Sequence, residues 1–481
     1  MLATMLQDFV CELEAQVEQW AQELWRTLDL AKLEEELSER MQRLYAGVVG
    51  QVLTELLSEP SYLEALRRLG GRKGMRFKEY RRVTVRVGQG PGIEVVAPYF
   101  VKAGAKRDRK KRGPNGRGAQ LGLEVLGFIG RCSARLVSEV VQMAVLCPSF
   151  EVAHQVLGRR GIGLDVKTLR RLCRDVGEQG LPHRGVIGLT GSEELEGQTL
   201  VIGIDGGRLR ERRPKRGRKQ GGQKRQGYHT EWKEPKLFTL YLLDAQGQVV
   251  KEFAPLHDGT MQDHEGLFGV LEQYLQALDL GALEKIVFCG DGAPWIWSGV
   301  EELLSRWNVP SERVYQVLDY THAKQNLQEL VELLPAPLKQ AGILAKRWKD
   351  RLWQGDLAGI YESLCRVLSG KKKTQALKKW QNYFERNAAR MQYERFRQAA
   401  VPCGSGGVES AIRRVINLRL KAPGTFWTQD MAECFLFLRS QLLCGRWDIF
   451  IHNVARLTRQ WIEPLPQLNN SEGLYELPQA A

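Results

Sequence analysis

Several common features are missing from this chain, and each absence narrows what it can be. No apolar run in its 481 residues approaches the roughly 20 consecutive positions that carry a helix across a bilayer. The opening Met1-Leu-Ala-Thr-Met-Leu-Gln-Asp has no basic segment followed by an apolar stretch, so no secretory leader is expected and the protein is expected in the cytoplasm, with no membrane partner. Nine cysteines are scattered without a single Cys-x-x-Cys pair. That spacing indicates neither a zinc ribbon nor a disulfide framework, and the thiols read as reduced, small apolar residues.

Charge of one sign is in excess. Lysine and arginine outnumber the acids to leave a formal net charge of +14, although residues 1–60 are acidic, so the rest is more basic than the mean. A polyanionic partner is the first expectation, because the basic residues fall in defined runs rather than evenly. Solubility alone is the other reading of a basic chain.

Periodicity divides the chain. Leu6, Val10, Leu13, Val17, Trp20 and Leu24, then Leu30, Leu33, Leu37, Met41, Leu44 and Val48, recur every three or four positions, which predicts one long or two consecutive amphipathic helices over 1–60. Their acidic outer face fits either self-association or packing on their own domain. Within 61–118, the β-formers of 82–87 and 93–101 flank Gly88-Gln-Gly-Pro-Gly, a hairpin signal. A basic loop with Lys110, Lys111 and Arg112 follows, suited to docking on phosphates. Residues 119–190 read as helices over 121–133, 135–146, 149–157 and 165–176. Ser149 and Asp165 are placed to cap the last two across a glycine turn, and the second carries Lys167, Arg170, Arg171 and Arg174. That pattern fits a helix-turn-helix, or a structural helical hairpin.

From residue 198 the period changes to strands, at 200–205, 237–243, 249–253, 286–289 and 314–318, with helices near 262–278 and 295–307. The fold class is therefore α/β with a mixed sheet: a first core segment over 196–335, a helical insertion over 336–400, a second core segment over 401–465, and a disordered tail over 466–481. Asp205 and Asp291 each close an apolar strand and precede a glycine, which leaves room for a metal and a phosphate to approach the backbone. Glu409 follows Gly404-Ser-Gly-Gly at the opening of a basic helix with Arg413, Arg414 and Arg419. Three carboxylates meeting at one place suffice to hold two Mg²⁺ ions for attack on a phosphodiester. Glu301, in an ordinary amphipathic helix, Glu394, in a charged helical run without a glycine approach, and Glu433, between Ala432 and Cys434 on what reads as a packed C-terminal helix, are weaker candidates for the third acid. A second basic run, with Arg212, Arg213, Lys215 and Arg216, follows Asp205 and reads as a clamp on a nucleic-acid backbone. Trp295 and Trp297 read as core residues, or as a stacking platform for an unpaired base.

Val201-Ile-Gly-Ile-Asp-Gly-Gly-Arg-Leu-Arg, Glu231-Trp-Lys-Glu-Pro-Lys-Leu, Gly290-Asp-Gly-Ala-Pro-Trp-Ile-Trp, Asp319-Tyr-Thr-His-Ala and the segment from Gly404 to Trp427 together resemble the ISKra4-type transposases, a group within the DDE transposases with an RNase H-like core. The resemblance covers most of 85–450 and implies that Asp205, Asp291 and Glu409 are the ordered acid triad. It implies two Mg²⁺ ions, with Mn²⁺ as a possible substitute, and Asp319 and His322 as an accessory acid-x-x-His pair. Without it, Asp319 reads equally as a helix cap beside a satisfied polar histidine. It further implies double-stranded DNA as partner (terminal inverted repeats and target), a homodimer or higher oligomer on DNA, and nucleoid association. Members often carry paired cysteines after the Pro-Tyr-Phe segment; this chain has Lys102-Ala-Gly-Ala-Lys-Arg-Asp-Arg there, so structural zinc is not expected. A nuclease that cuts without joining, and a catalytically silent DNA-binding protein of the same fold, are the alternative functions.

Overall fold

The computed structural model describes residues 2–88, 90–103, 118–185, 194–215, 217, 227–307 and 309–459. Lys110, Lys111, Arg112, Arg216 and the 466–481 tail lie outside the described residues. The described residues divide into two compact units, one of residues 2–182 with 448–459 and one of residues 183–447.

In the first unit, the long helical period breaks into α1 (Leu2–Thr27) and α2 (Leu30–Ser58). Leu28 turns the chain at a φ of +52° and Asp29 caps α2 by accepting from the Lys32 N–H. The two helices are tied by Trp20 Nε1 donating to Glu36 at 2.9 Å. α3 (Pro60–Arg72) leads into antiparallel strands β1 (Met75–Val85) and β2 (Ile93–Lys102). Leu57, Leu66, Val85 and Phe100 are buried in the core beneath them.

The helix expected over 121–133 stops early, as α4 (Leu121–Val125), because Gly127 and Gly130 take φ values of +81° and +57°. α5 (Ala134–Leu146), α6 (Phe150–Arg159) and α7 (Val166–Gly180) pack on one another. Ser149 and Asp165 do cap α6 and α7, accepting from Val152 N at 3.1 Å and Thr168 N at 2.6 Å. Leu169, Leu172, Cys173 and Val176 form the buried stripe of α7, and Lys167, Arg170 and Arg171 lie on its exposed face.

The second unit is α/β. Strands β3 (Thr199–Gly206), β4 (Leu209–Pro214), β5 (Tyr228–Lys233), β6 (Lys236–Leu243) and β7 (Leu256–Thr260) are followed by α8 (His264–Gln276), β8 (Lys285–Gly290), α9 (Pro294–Arg306), β9 (Val314–Leu318) and α10 (Tyr320–Val331). Five strands form a mixed sheet in the order β7-β6-β3-β8-β9, compatible with an RNase H-like core. β6 runs antiparallel to β3 and β7, whereas β3, β8 and β9 are mutually parallel. The unbroken apolar run Leu200–Ile204 is what such a strand, covered on both faces, requires.

The strand expected over 249–253 is not formed; only a bridge from Val249 to Leu243 is present, and the sheet edge is β7 instead. Its Leu-His-Asp-Gly-Thr carries little strand signature, and the buried ion cluster of Arg184 with Asp258 and Glu433 holds it. β4 and β5 pair as a separate ribbon that extends the β3–β6 hairpin.

Between the core segments come α11 (Ala336–Ala341), α12 (Ile343–Gln354), α13 (Leu357–Val367), α14 (Gly370–Lys379), a π-helical turn over Trp380–Glu385, and α15 (Tyr393–Gln398). Trp348, Phe384 and Tyr393 are buried among them. The chain then returns as α16 (Gly406–Ile412), a second π-helical turn over Arg413–Asn417 and α17 (Gln429–Leu443); α18 (Trp447–Arg459) belongs from residue 448 to the first unit. No described helix is long and apolar enough to cross a membrane.

Candidate active site

Three parallel strands end level with one another. Ile204 pairs with Gly290, and Gly290 pairs with Leu318. The next residue on each strand is an aspartate: Asp205, Asp291 and Asp319. Neighbouring strands lie about 4.8 Å apart, so the three carboxylates form a row along the carboxyl edge of the sheet, where α/β folds gather their chemistry. Asp205 and Asp291 are half-buried, and Asp319 is buried.

α16 brings the fourth acid. It packs on β3 and β6, with Val408 resting on Gly203, where a Cβ would come within 3.0 Å of the Val408 Cβ. Glycine at 203 therefore sets how closely α16 approaches β3. Glu409, one residue further on, is exposed at the row.

Hydrogen bonds give each acid a different role. Asp319 uses both oxygens: Oδ1 accepts from His322 N at 2.8 Å and lies 3.1 Å from His322 Nδ1. Oδ2 accepts from the Ser405 N–H and from the Ser405 hydroxyl at 2.8 Å. That hydroxyl also lies 3.2 Å from Glu409 Oε1, with one proton to share between the two acids. Asp319 thus clasps the 405–409 segment to the end of β9. Asp205 accepts from Gly206 N at 2.6 Å and Asp291 from Ala293 N at 2.8 Å, each through Oδ1. The second oxygen of each has no partner among the described residues.

The electrostatics follow. Burial, with the charges of Asp291 and Glu409, raises the Asp205 carboxyl to about 6, against the pull of the Gly206 N–H and His322. Burial works on Asp319 in the same sense, but the donors from His322 and Ser405 outweigh it and hold that carboxyl well below the usual range. The Asp319 hydrogen bond raises His322, helped by the charges of Asp319, Asp291 and Asp205.

Asp319, His322 and Glu409 each place a ligand atom within 4.8 Å of the others. The donors are carboxylate oxygens and one imidazole, a set that fits Mg²⁺ or Mn²⁺. This tight group differs from the expected triad of Asp205, Asp291 and Glu409. Asp205 nonetheless feels the charges of Asp291, His322 and Glu409, and His322 those of Asp319, Asp291 and Asp205, which ties the row to the tight group.

Two of the three competing acids are engaged elsewhere. Glu433 accepts from Arg184 at 2.9 Å, Thr260 Oγ1 at 3.0 Å and Met261 N at 2.6 Å; Glu301 pairs with Arg390 at 2.7 Å. Glu394 is exposed on α15. Trp297 is a core residue, as one of its two readings had it, and its indole donates to the Asp291 carbonyl at 2.8 Å.

The basic residues divide. Arg212, Arg213 and Lys215 are exposed on the β4–β5 ribbon, and Arg413 is exposed after α16. Arg414 is half-buried, with Nη2 3.1 Å from His257 Nε2. Arg419 corrects the expectation of a phosphate contact: it is 1 % exposed, over the rings of Trp427 (5.0 Å) and Phe435 (5.2 Å). The π-helical turn before it shifts the helical phase, so Leu418 points out and Arg419 points in. Sequence reasoning also passed over Ser405, whose only signal was its place in Gly404-Ser-Gly-Gly.

No protein-family model matches the chain, and no curated protein matches it. Among solved structures, it is similar to the Drosophila P element transposase strand transfer complex, at 10% identity and a TM-score of 0.28, over 66% of this chain and 93% of that one. A likeness at that level carries no argument about function.

Proposed function

We propose that the chain is a DDE transposase of the ISKra4 type, with an RNase H-like core, that binds the ends of an insertion sequence and cuts and joins DNA. The observation that carries this reading is the level row of Asp205, Asp291 and Asp319 with Glu409 delivered to it by α16. The resemblance of the segments around those acids and the exposed basic ribbon support it.

Asp205, Asp291 and Glu409 would hold two Mg²⁺ ions, since their carboxylates keep oxygens free of other partners. When bound, the ions would supply Lewis acidity and neutralise charge on the phosphodiester. Asp319 orients: it fixes Ser405, and through it Glu409, and sets the ring of His322. With Nδ1 turned to Asp319, His322 Nε2 is free to hold a proton or to donate to a phosphate oxygen. In cleavage a water oxygen bonds to phosphorus and the element's 3′-oxygen leaves with a proton as a hydroxyl. In joining, that hydroxyl oxygen bonds to a target phosphorus, and the target's 3′-oxygen leaves. No covalent protein intermediate is required, so no Ser or Tyr nucleophile is assigned.

Arg212, Arg213, Lys215 and Arg413 would contact the backbone, and α7, as the second helix of a helix-turn-helix, would present Lys167, Arg170 and Arg171 to the repeat. Pairing two element ends would call for a homodimer or larger assembly. The test incubates the purified chain with Mg²⁺, a labelled element end and a target plasmid. Joined products support a transposase; nicks alone mean a nuclease; a gel shift without either leaves a DNA-binding protein.

A further inference from the structure

The helical insertion sends a side chain to the acid row. Tyr383 lies in the π-helical turn Trp380–Glu385, and its ring edge rests on Gly292, the residue after Asp291. A Cβ at 292 would come within 2.3 Å of Tyr383 Cε2, so the approach requires glycine there. The turn is anchored by Asn387, which is buried and donates to the Tyr383 carbonyl at 2.8 Å through Nδ2. π-Helical turns are uncommon and cluster at functional sites, because the extra residue re-aims a side chain. Here the side chain it aims is a phenol at the end of β8.

That phenol is unsatisfied. The Tyr383 hydroxyl is buried and makes no hydrogen bond among the described residues; the Asn326 side chain nearby donates to the His322 carbonyl at 3.0 Å. Burial, and after it the Asp291 charge, push the phenol up, so it keeps its proton at any working pH. Asp291 presents the complement: Oδ1 accepts from Ala293 N, and Oδ2 accepts from no described residue. The phenol, held by its ring against the residue after Asp291, feels that acid's charge but makes no hydrogen bond to it.

We infer that Tyr383 is a positioning residue for Asp291: with a divalent cation seated, its hydroxyl, which makes no hydrogen bond in this structure, would turn to donate to the free carboxylate oxygen and fix the carboxylate. The inference rests on the proposed metal-dependent function. It gives the insertion a part in the site, because the seating of the 380–385 turn sets the aim of an acid almost a hundred residues earlier in the chain. Tyr393 supplies a matched comparison. Its hydroxyl is also buried without a partner, and Asp319 is the acid whose charge it feels. Asp319 already accepts four contacts from His322 and Ser405, so it has no oxygen left to orient.

The experiment titrates Mn²⁺ into the full chain by calorimetry, without DNA, and then measures cleavage against Mn²⁺ concentration. Tyr383→Phe keeps the ring on Gly292 and removes only the hydroxyl. Loss of an outer-shell partner typically weakens metal binding about 10–100-fold. The expected result is a weakening in that range for Tyr383→Phe, cleavage that recovers at high Mn²⁺, and Tyr393→Phe within twofold of the parent. In an Asp291→Asn background, Tyr383→Phe should add no further loss. Parent-like Mn²⁺ binding by Tyr383→Phe overturns the inference and leaves the metal site standing, and so does equal loss in both tyrosine variants. A parent chain that neither binds Mn²⁺ nor cuts DNA overturns the functional reading, and the inference with it.

Discussion

Asp205→Asn is expected to make the metal-free protein more stable, and only above a certain pH. The Asp205 carboxyl is raised from 3.8 to about 6 by burial and by its acidic neighbours. The sign follows from which state holds the proton. In the unfolded chain the group ionises near 4, but in the folded chain it stays protonated to about 6, so folding stability is lost as pH rises through that window and stays lost above it. At about 1.4 kcal/mol per pKa unit, the cost at neutral pH is up to about 3 kcal/mol. Asparagine carries no charge and keeps an oxygen for the Gly206 N–H, so it avoids the cost.

Urea unfolding in EDTA, followed by tryptophan fluorescence, should therefore give similar stabilities for parent and variant near pH 3.5, below the unfolded pKa. At pH 7.5 the variant should gain as much as about 3 kcal/mol. Excess Mn²⁺ should reverse the order, since a cation at about 1,000 times its dissociation constant stabilises the form that binds it by about 4.1 kcal/mol. A variant less stable at both pH values, or equally stabilised at both, would refute the reasoning. The same substitution should abolish cleavage while DNA binding persists.

Gly203→Ala should lower cleavage by tenfold or more with about 1–3 kcal/mol of destabilisation, because the new Cβ meets Val408 and displaces α16; activity and urea midpoint measured together check this. Asp319→Asn should destabilise by about 3 kcal/mol, losing charge-assisted bonds to His322 and Ser405, and the His322 pKa followed by NMR should fall toward its ordinary value. At sub-saturating Mg²⁺, cleavage by the parent should decline with an acid limb near pH 6, as protons compete with the cation for Asp205; a rate unchanged down to pH 5 under those conditions would count against the site. Replacing Arg212 and Arg213 together by alanine should reduce the log–log salt dependence of DNA binding by about 2, read from titrations between 50 and 200 mM salt.

Much of this site was legible in sequence because strands announce themselves by composition. Leu200–Ile204 and Ile286–Cys289 are apolar enough to be read directly, and the aspartate after each is then obvious. Their common level was not legible, since register is a property of pairing between distant segments; only the Ile204, Gly290 and Leu318 alignment puts Asp319 in the same row. β7 went unread because burial by an ion cluster, not β-propensity, makes it a strand. Arg419 was misread because a π-helical turn shifts helical phase without marking the sequence. Tyr383 carries no sequence signal at all, since its significance depends on which loop the insertion covers.

The clasp between Asp319 and Ser405 has a consequence for when the protein becomes competent. The three aspartates are synthesised within the first 319 residues, but the segment that orders Glu409 against them emerges only after the whole insertion. A polypeptide still on the ribosome, or one cut off by a premature stop before residue 405, carries an acid row with no clasp and no fourth carboxylate. On the proposed function, synthesis through Glu409 would thus be a condition for cutting.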